Sequence, residues 1–157
     1  MVQEIGLDQL IREHPFFEGM DEDTLTLIAG CAANERFDAG QYIFREGQPA
    51  DKFYMVRHGS VALEGRAPGR DSIVLQTCDD GDVMGWSWLV PPFRWKWDAR
   101  ATQLSRLVSF DGICLRGKLD ADPALGYAMY KRFVRVIAER LSYARLQMLD
   151  LYGVEHE

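Results

Sequence analysis

Between Gly40 and Leu63 the chain reads GQYIFREGQPADKFYMVRHGSVAL, a series of short apolar runs separated by glycines. Gly40, Gly47 and Gly59 fall between the runs, where tight turns ask for a positive φ that a residue without Cβ adopts at least cost. Pro49 stiffens one of these turns. Tyr42 and Phe44, then Phe53 and Met55, alternate with more polar neighbours, the period of half-buried strands. A hairpin continues the pattern, Val61 to Glu64 and Ser72 to Gln76 around the tip Arg66-Ala67-Pro68-Gly69-Arg70, and Leu104 to Phe110 reads as a last strand. Many short strands with tight turns predict an antiparallel barrel or sandwich.

Helices are expected on both sides of these strands. Leu7 to Glu13 and Asp21 to Ala33 carry the apolar sets Leu7, Leu10, Ile11 and Leu25, Leu27, Ile28, fit to cover a barrel. Pro15 stops the first helix, and Asp21 is a candidate N-cap of the second. After a short helix over Asp111 to Leu119, Asp122-Pro123 opens a long one running to Gly153. Along it Leu125, Met129, Phe133, Val136, Ile137, Leu141, Ala144, Met148 and Leu151 recur every three or four residues. A stripe of about eight turns is longer than a small barrel can cover, which leaves part of it for a partner. Arg132, Arg135, Glu139, Arg140 and Arg145 flank the stripe and read as a solvated face.

The Gly40 to Leu63 segment resembles the strand and turn signature of cyclic nucleotide-binding domains, and the order of short helices, Gly-rich barrel and long helix is similar to the effector half of Crp/Fnr-type regulators. The resemblance covers nearly the whole chain. It implies a mainly β fold with flanking helices: a jelly-roll β-barrel over residues 34–111, N-terminal helices over 1–33 and C-terminal helices over 111–153, forming one domain. It also implies that the long helix pairs with a second copy in a parallel coiled coil, through Met129, Phe133, Val136, Ile137, Leu141, Ala144 and Met148. In the family, segments like His14-Pro15-Phe16-Phe17 pack against the barrel, so Phe16 and Phe17 are expected in the core.

Within that frame Gly81 to Ala101, GDVMGWSWLVPPFRWKWDARA, stands where the phosphate-binding cassette belongs. In ligand-binding members a Gly-Glu-x-Ala-Leu turn opens a short helix, the Glu accepts the ribose hydroxyl, and an Arg some ten positions on pairs with the cyclic phosphate. Counted from Gly85 without gaps, Trp86 stands at the Glu, Trp88 at the Ala, Leu89 at the Leu and Trp95 at the Arg. Phe93, Trp95, Trp97, Ala99 and Ala101 alternate with Arg94, Lys96, Asp98 and Arg100, and the period of a strand puts the two sets on opposite faces. Trp95 and Trp86 are expected to fill the nucleotide space. A register shift would instead turn Arg94 or Lys96 inward, making a genuine cyclic AMP or cyclic GMP sensor, with Arg100 as a further phosphate ligand. Ser87 offers a hydroxyl to a ligand phosphate, although capping the short helix is its commoner use. The aromatic site also suits another flat ligand, with the Gly85 turn presenting backbone N–H groups to an anion.

Composition narrows the remaining classes. With 157 residues, 47% of them hydrophobic and 27% charged, one domain buries a core without metal or disulfide staples. A formal net charge of -6 opposes direct DNA or anionic-membrane binding. The acidic end Val154 to Glu157 supplies no recognition helix, so any effect on transcription is expected through another chain. Cys31, Cys78 and Cys114 lie far apart without a CxxC pair, which suggests neither a zinc knuckle nor a disulfide framework and fits a reducing cytoplasm. His14, His58 and His156 are scattered, so no metal centre and no enzyme is expected. Asp79-Asp80-Gly81-Asp82 reads as turn chemistry rather than a calcium loop. The expectation is a stand-alone regulatory module, homodimeric and acting on a partner protein, the alternative being a non-sensing subunit of a larger complex.

Overall fold

In a computed structural model, residues 6–66, 68–69 and 71–155 are described, with side chains to residue 150. Ala67 and Arg70 of the expected hairpin tip, His156, and the Leu151 side chain lie outside them. Helices α1 (Leu7–Glu13) and α2 (Glu22–Ala29) precede eight strands: β1 (Ala32–Phe37), β2 (Tyr42–Phe44), β3 (Lys52–His58), β4 (Ser60–Arg66), β5 (Ser72–Asp79), β6 (Val83–Met84), β7 (Asp98–Ala101) and β8 (Ser105–Asp111). Helices α3 (Gly112–Ala121) and α4 (Pro123–Glu155) follow. The strands form two antiparallel four-stranded sheets, ordered β1-β8-β3-β6 and β2-β7-β4-β5.

The caps follow the sequence. Asp21 Oδ1 accepts the Thr24 N–H at 2.8 Å, and Asp122 Oδ1 accepts those of Ala124 and Leu125, each satisfying donors that a helix start leaves orphaned. At the turn between β3 and β4, Gly59 has φ +125° and a Cβ there would run into the Ser105 side chain, so the close approach of β8 and the backbone sign both demand glycine.

Several expectations are corrected. Helix α2 ends at Ala29, not Ala33, because Ala32 and Ala33 pair with Phe110 and Ser109 of β8; the ladder overrides alanine's helix preference. The strand expected over Phe93 to Ala101 shrinks to β7, since Phe93 sits at φ +58° and only an isolated bridge joins Arg94 to Pro49. Tyr42 is exposed where Phe44 is buried, the register slipping between them. Strand β3 is buried on both faces, not half-buried: Phe53 and Met55 enter a core shared with the helices, while Tyr54 and Val56 face the barrel interior. Burial pushes the Tyr54 phenol well above its ordinary pKa.

Helix α4 departs most from the sequence reading. It docks on its own barrel through Leu125, Met129 and Phe133, and two of its expected solvent-facing arginines are anchors. Arg132 donates from Nε to the Phe16 carbonyl at 2.7 Å and from its terminal nitrogens to those of Ala128 and Glu18; burial lowers its pKa. Arg140 donates to Gln76 Oε1 and the Val83 carbonyl, both at 2.9 Å, and touches Cys78 Sγ. Periodicity reports where apolar residues recur but not which carbonyls await a guanidinium.

Arg140→Ala should strand the Val83 carbonyl and Gln76, costing about 1–3 kcal/mol. The change is expected as a lower urea midpoint with an unaltered slope. An unchanged midpoint would show that the anchor adds nothing to stability.

Candidate functional site

The cassette begins where β6 leaves the sheet. Gly85 has φ +93°, and a Cβ on it would lie 2.8 Å from Cη2 and 3.0 Å from Cζ3 of Trp95. The indole ring thus rests against a bare backbone. Trp95 is 5% exposed and stacks on Phe44, with centroids 3.7 Å apart and planes 10° from parallel. It belongs to the barrel interior with Tyr54, Val61, Leu63, Met84 and Ala99. Its backbone is tied on both sides: Trp95 N–H donates to the Gln48 carbonyl at 3.0 Å, and Gly47 N–H donates to the Trp95 carbonyl at 2.9 Å.

The short helix expected after Gly85 is a single 3-10 turn, Ser87–Leu89, with Ser87 and Leu89 buried and Trp88 at 0% exposure. Trp86 precedes it and offers no side-chain cap. Its ring meets that of Trp97 edge-on at 5.7 Å, both residues half-buried. Trp88 joins the other core, stacked on Phe53 at 5.1 Å and met edge-on by Phe133 of α4 at 5.6 Å. Its indole N–H is buried without a hydrogen-bond partner. The four tryptophans therefore occupy three places: Trp95 inside the barrel, Trp86 with Trp97, and Trp88 beneath the helices.

The cations are disposed otherwise. Arg94 is exposed and donates to the Gly47 carbonyl at 2.8 Å, and Lys96 is exposed. Arg100 donates twice to the buried Glu64 carboxylate, at 2.8 and 3.1 Å. That pairing raises its pKa. Asp98, assigned with these cations to an outer face, is nevertheless buried; it accepts the Glu46 N–H at 2.7 Å and is flanked by Arg45 and Arg66. The bidentate Glu64 partner of Arg100 went unseen in the sequence, because β4 and β7, which set Glu64 opposite Asp98, are not consecutive strands and no local turn fixes their register.

A link from cassette to helices was also missed. Gly112, first residue of α3, packs so closely that an added Cβ would sit 2.9 Å from the Asp51 carbonyl oxygen and 3.1 Å from the Trp88 ring. One turn on, Arg116 donates to the carbonyls of Trp88 at 2.8 Å and Ala50 at 3.3 Å, and its guanidinium lies 4.3 Å from the Phe93 ring centre. Helix α3 thereby holds both ends of the 88–93 segment.

The stripe expected for dimerisation divides between two faces of α4. Met129 and Phe133 are 0% and 1% exposed inside the chain's own core, which corrects their place on the seam, and Val136 is half-buried. Leu141 and Met148 are 67% and 57% exposed, Ala144 is exposed and Ile137 half-buried. With Tyr127, Tyr130 and Val134 they recur at alternating steps of three and four residues, the spacing of a coiled-coil seam. Ile73, Val74 and Leu75 of β5 are also exposed.

The Asp79 to Asp82 segment is a turn: Asp79 N–H donates to Asp82 Oδ2 and Gly59 N–H to Asp80 Oδ1. Among the described residues no three His, Cys, Asp or Glu side chains gather as a metal site, and no helix is long and apolar enough to cross a membrane. Cys31 and Cys114, read as remote from one another, have sulfurs 3.5 Å apart. Separation along the chain carried no information about them, because β1 and β8 bring their ends together.

This architecture is shared with known proteins. The family model of the cyclic nucleotide-binding domain matches residues 34–122, more than half of the chain, and the chain belongs to that family. It is 24% identical over 145 residues to the CRP-like cAMP-activated global transcriptional regulator of Mycobacterium tuberculosis, covering 92% of this chain and 63% of that one. Over 77 residues it is 36% identical to Cyclic nucleotide-gated ion channel 18 of Arabidopsis thaliana, covering 48% and 11%. The chain thus spans less than two thirds of either relative. A crystal structure from Geobacter metallireducens GS-15, assigned as a cyclic nucleotide-binding protein, superposes with a TM-score of 0.74 at 28% identity, covering 88% of this chain and 99% of that one.

Gly85→Ala should cost more than the roughly 1–2 kcal/mol of a left-handed non-glycine residue, since the methyl also meets the indole. In a Trp95→Val background that excess should vanish, a coupling read from a double-mutant cycle in urea. Simple additivity would mean that the ring does not press on Gly85.

Proposed function

We propose that this chain is a regulatory module of the cyclic nucleotide-binding family whose cassette lacks the usual ribose and phosphate contacts, and which works as a homodimer on a partner protein. The observation carrying this reading is Trp95, stacked on Phe44 inside the barrel and closed over by Gly85. An indole fills apolar space and has one N–H to offer, whereas a cyclic phosphate asks for a cation in the same place. The cations expected at a phosphate have other positions: Arg100 on Glu64, Arg94 on the Gly47 carbonyl, Lys96 in solvent.

Signalling in this reading runs through Trp88. A change in the 85–95 segment moves a ring that touches Phe133 of α4 and a carbonyl held by Arg116 of α3, and so alters how the long helix sits on the barrel. The exposed seam from Leu141 to Met148 supports the homodimer, because a second helix laid along it buries side chains that one chain leaves in water.

Two measurements test the parts separately. Titrated with millimolar cyclic AMP or cyclic GMP, the melting temperature should stay constant; a ligand at a hundred times its dissociation constant would add about 2.7 kcal/mol. A saturable rise that disappears in Arg94→Ala/Lys96→Ala would instead establish a cyclic nucleotide sensor. Leu141→Glu should convert the dimer to monomer by light scattering while leaving helix content intact, and a monomeric wild type would remove the seam from the account.

A further inference from the structure

Cys31 and Cys114 stand 83 residues apart in sequence and 3.5 Å apart at their sulfurs, and both backbones are fixed. Cys31 precedes the first rung of the β1–β8 ladder, Ala32 opposite Phe110. Its own carbonyl accepts the Asp111 N–H at 2.9 Å. Cys114 lies in the first turn of α3, where Asp111 Oδ1 accepts the Cys114 N–H at 3.1 Å and the Ile113 N–H at 3.0 Å. One residue, Asp111, thus positions both cysteines. Their exposures differ: Cys114 is open to solvent, Cys31 half-buried.

We propose that Cys31 and Cys114 form a reversible redox modification site, oxidised to an intramolecular disulfide by hydroperoxides. Cys114 is the attacking residue because it is exposed. Its thiol gives a proton to water, and the thiolate sulfur attacks the terminal oxygen of the hydroperoxide. The S–O bond forms as the O–O bond breaks, and the departing alkoxide or hydroxide takes up a proton. Cys31 then attacks the sulfenic sulfur of Cys114: the S–S bond forms, the S–O bond breaks, and the hydroxyl leaves as water with the Cys31 proton. Two thiols and one hydroperoxide yield one disulfide, one alcohol (or water) and one water. Burial pushes the Cys31 thiol up to about 11, with the neighbouring Lys118 ammonium acting in the opposite sense. Cys31 therefore stays a thiol while Cys114 is oxidised, and gives up its proton only as its sulfur meets the adjacent sulfenic sulfur.

The bond would fasten α3 to the junction of α2 and β1. Helix α3 also grips the cassette through Gly112 and Arg116, so oxidation acts where the barrel meets its C-terminal helices, independently of whether the cassette binds any nucleotide.

The test is peptide mapping of the native protein, reduced, treated with equimolar hydrogen peroxide, unfolded and alkylated with N-ethylmaleimide. The expected product is a peptide joined through Cys31 and Cys114 with Cys78 alkylated, reverting to three alkylated cysteines after dithiothreitol. Cys78→Ser should preserve the cross-link; Cys31→Ser should abolish it and, given a second equivalent of peroxide, let Cys114 advance to the sulfinic acid. Sulfinic Cys114 beside alkylated Cys31 in the wild-type protein, a Cys114 to Cys114 link between chains, or three alkylated cysteines throughout would each overturn the proposal. The wild-type map decides even if a variant does not fold.

Discussion

Trp88 is the contact on which the remaining architecture converges. Its ring lies flat on Phe53 of β3 and receives the edge of Phe133 from α4, while its carbonyl is held by Arg116 of α3. Phe53 in turn stacks on Phe110 of β8 at 4.3 Å. Barrel, cassette turn and C-terminal helices thus share one aromatic joint, in which rings of this size bury large areas and prefer few orientations. Gly112 keeps α3 against that joint because a side chain there would strike the Asp51 backbone.

A second consequence follows from β3 and β8 having no solvated face. Their alternate residues supply two cores, Phe53, Met55, Val108 and Phe110 toward the helices and Tyr54, Val56 and Leu107 toward the barrel interior. Trp95 belongs to the second core and Trp88 to the first, although both come from one cassette. The cassette therefore touches both sides of the sheet, and α4 is anchored beside it by Arg132 and Arg140 to backbone carbonyls.

Local rules made much of this readable. Glycines at positive φ, Asp21 as a cap, Asp122-Pro123 as the opening of the long helix, and the inward set Trp95, Ala99 and Ala101 all depend on chemistry within a few residues. What could not be read depends on partners brought together from afar. Ala32 and Ala33 became strand because β8 was waiting, Tyr42 turned outward at a register slip, and Arg140 found Gln76 and the Val83 carbonyl. The α4 stripe was found as a set, but its division into a docked face and an open seam required knowing where the barrel lies. Arg100 likewise looked available until Glu64 was seen across the sheet.

The most direct measurement is a crystal structure of the protein grown with millimolar cyclic AMP. Trp95 is expected still stacked on Phe44 against Gly85, with no nucleotide in the barrel. Density for a cyclic phosphate held by Arg94, with the indole displaced from Phe44, would contradict it.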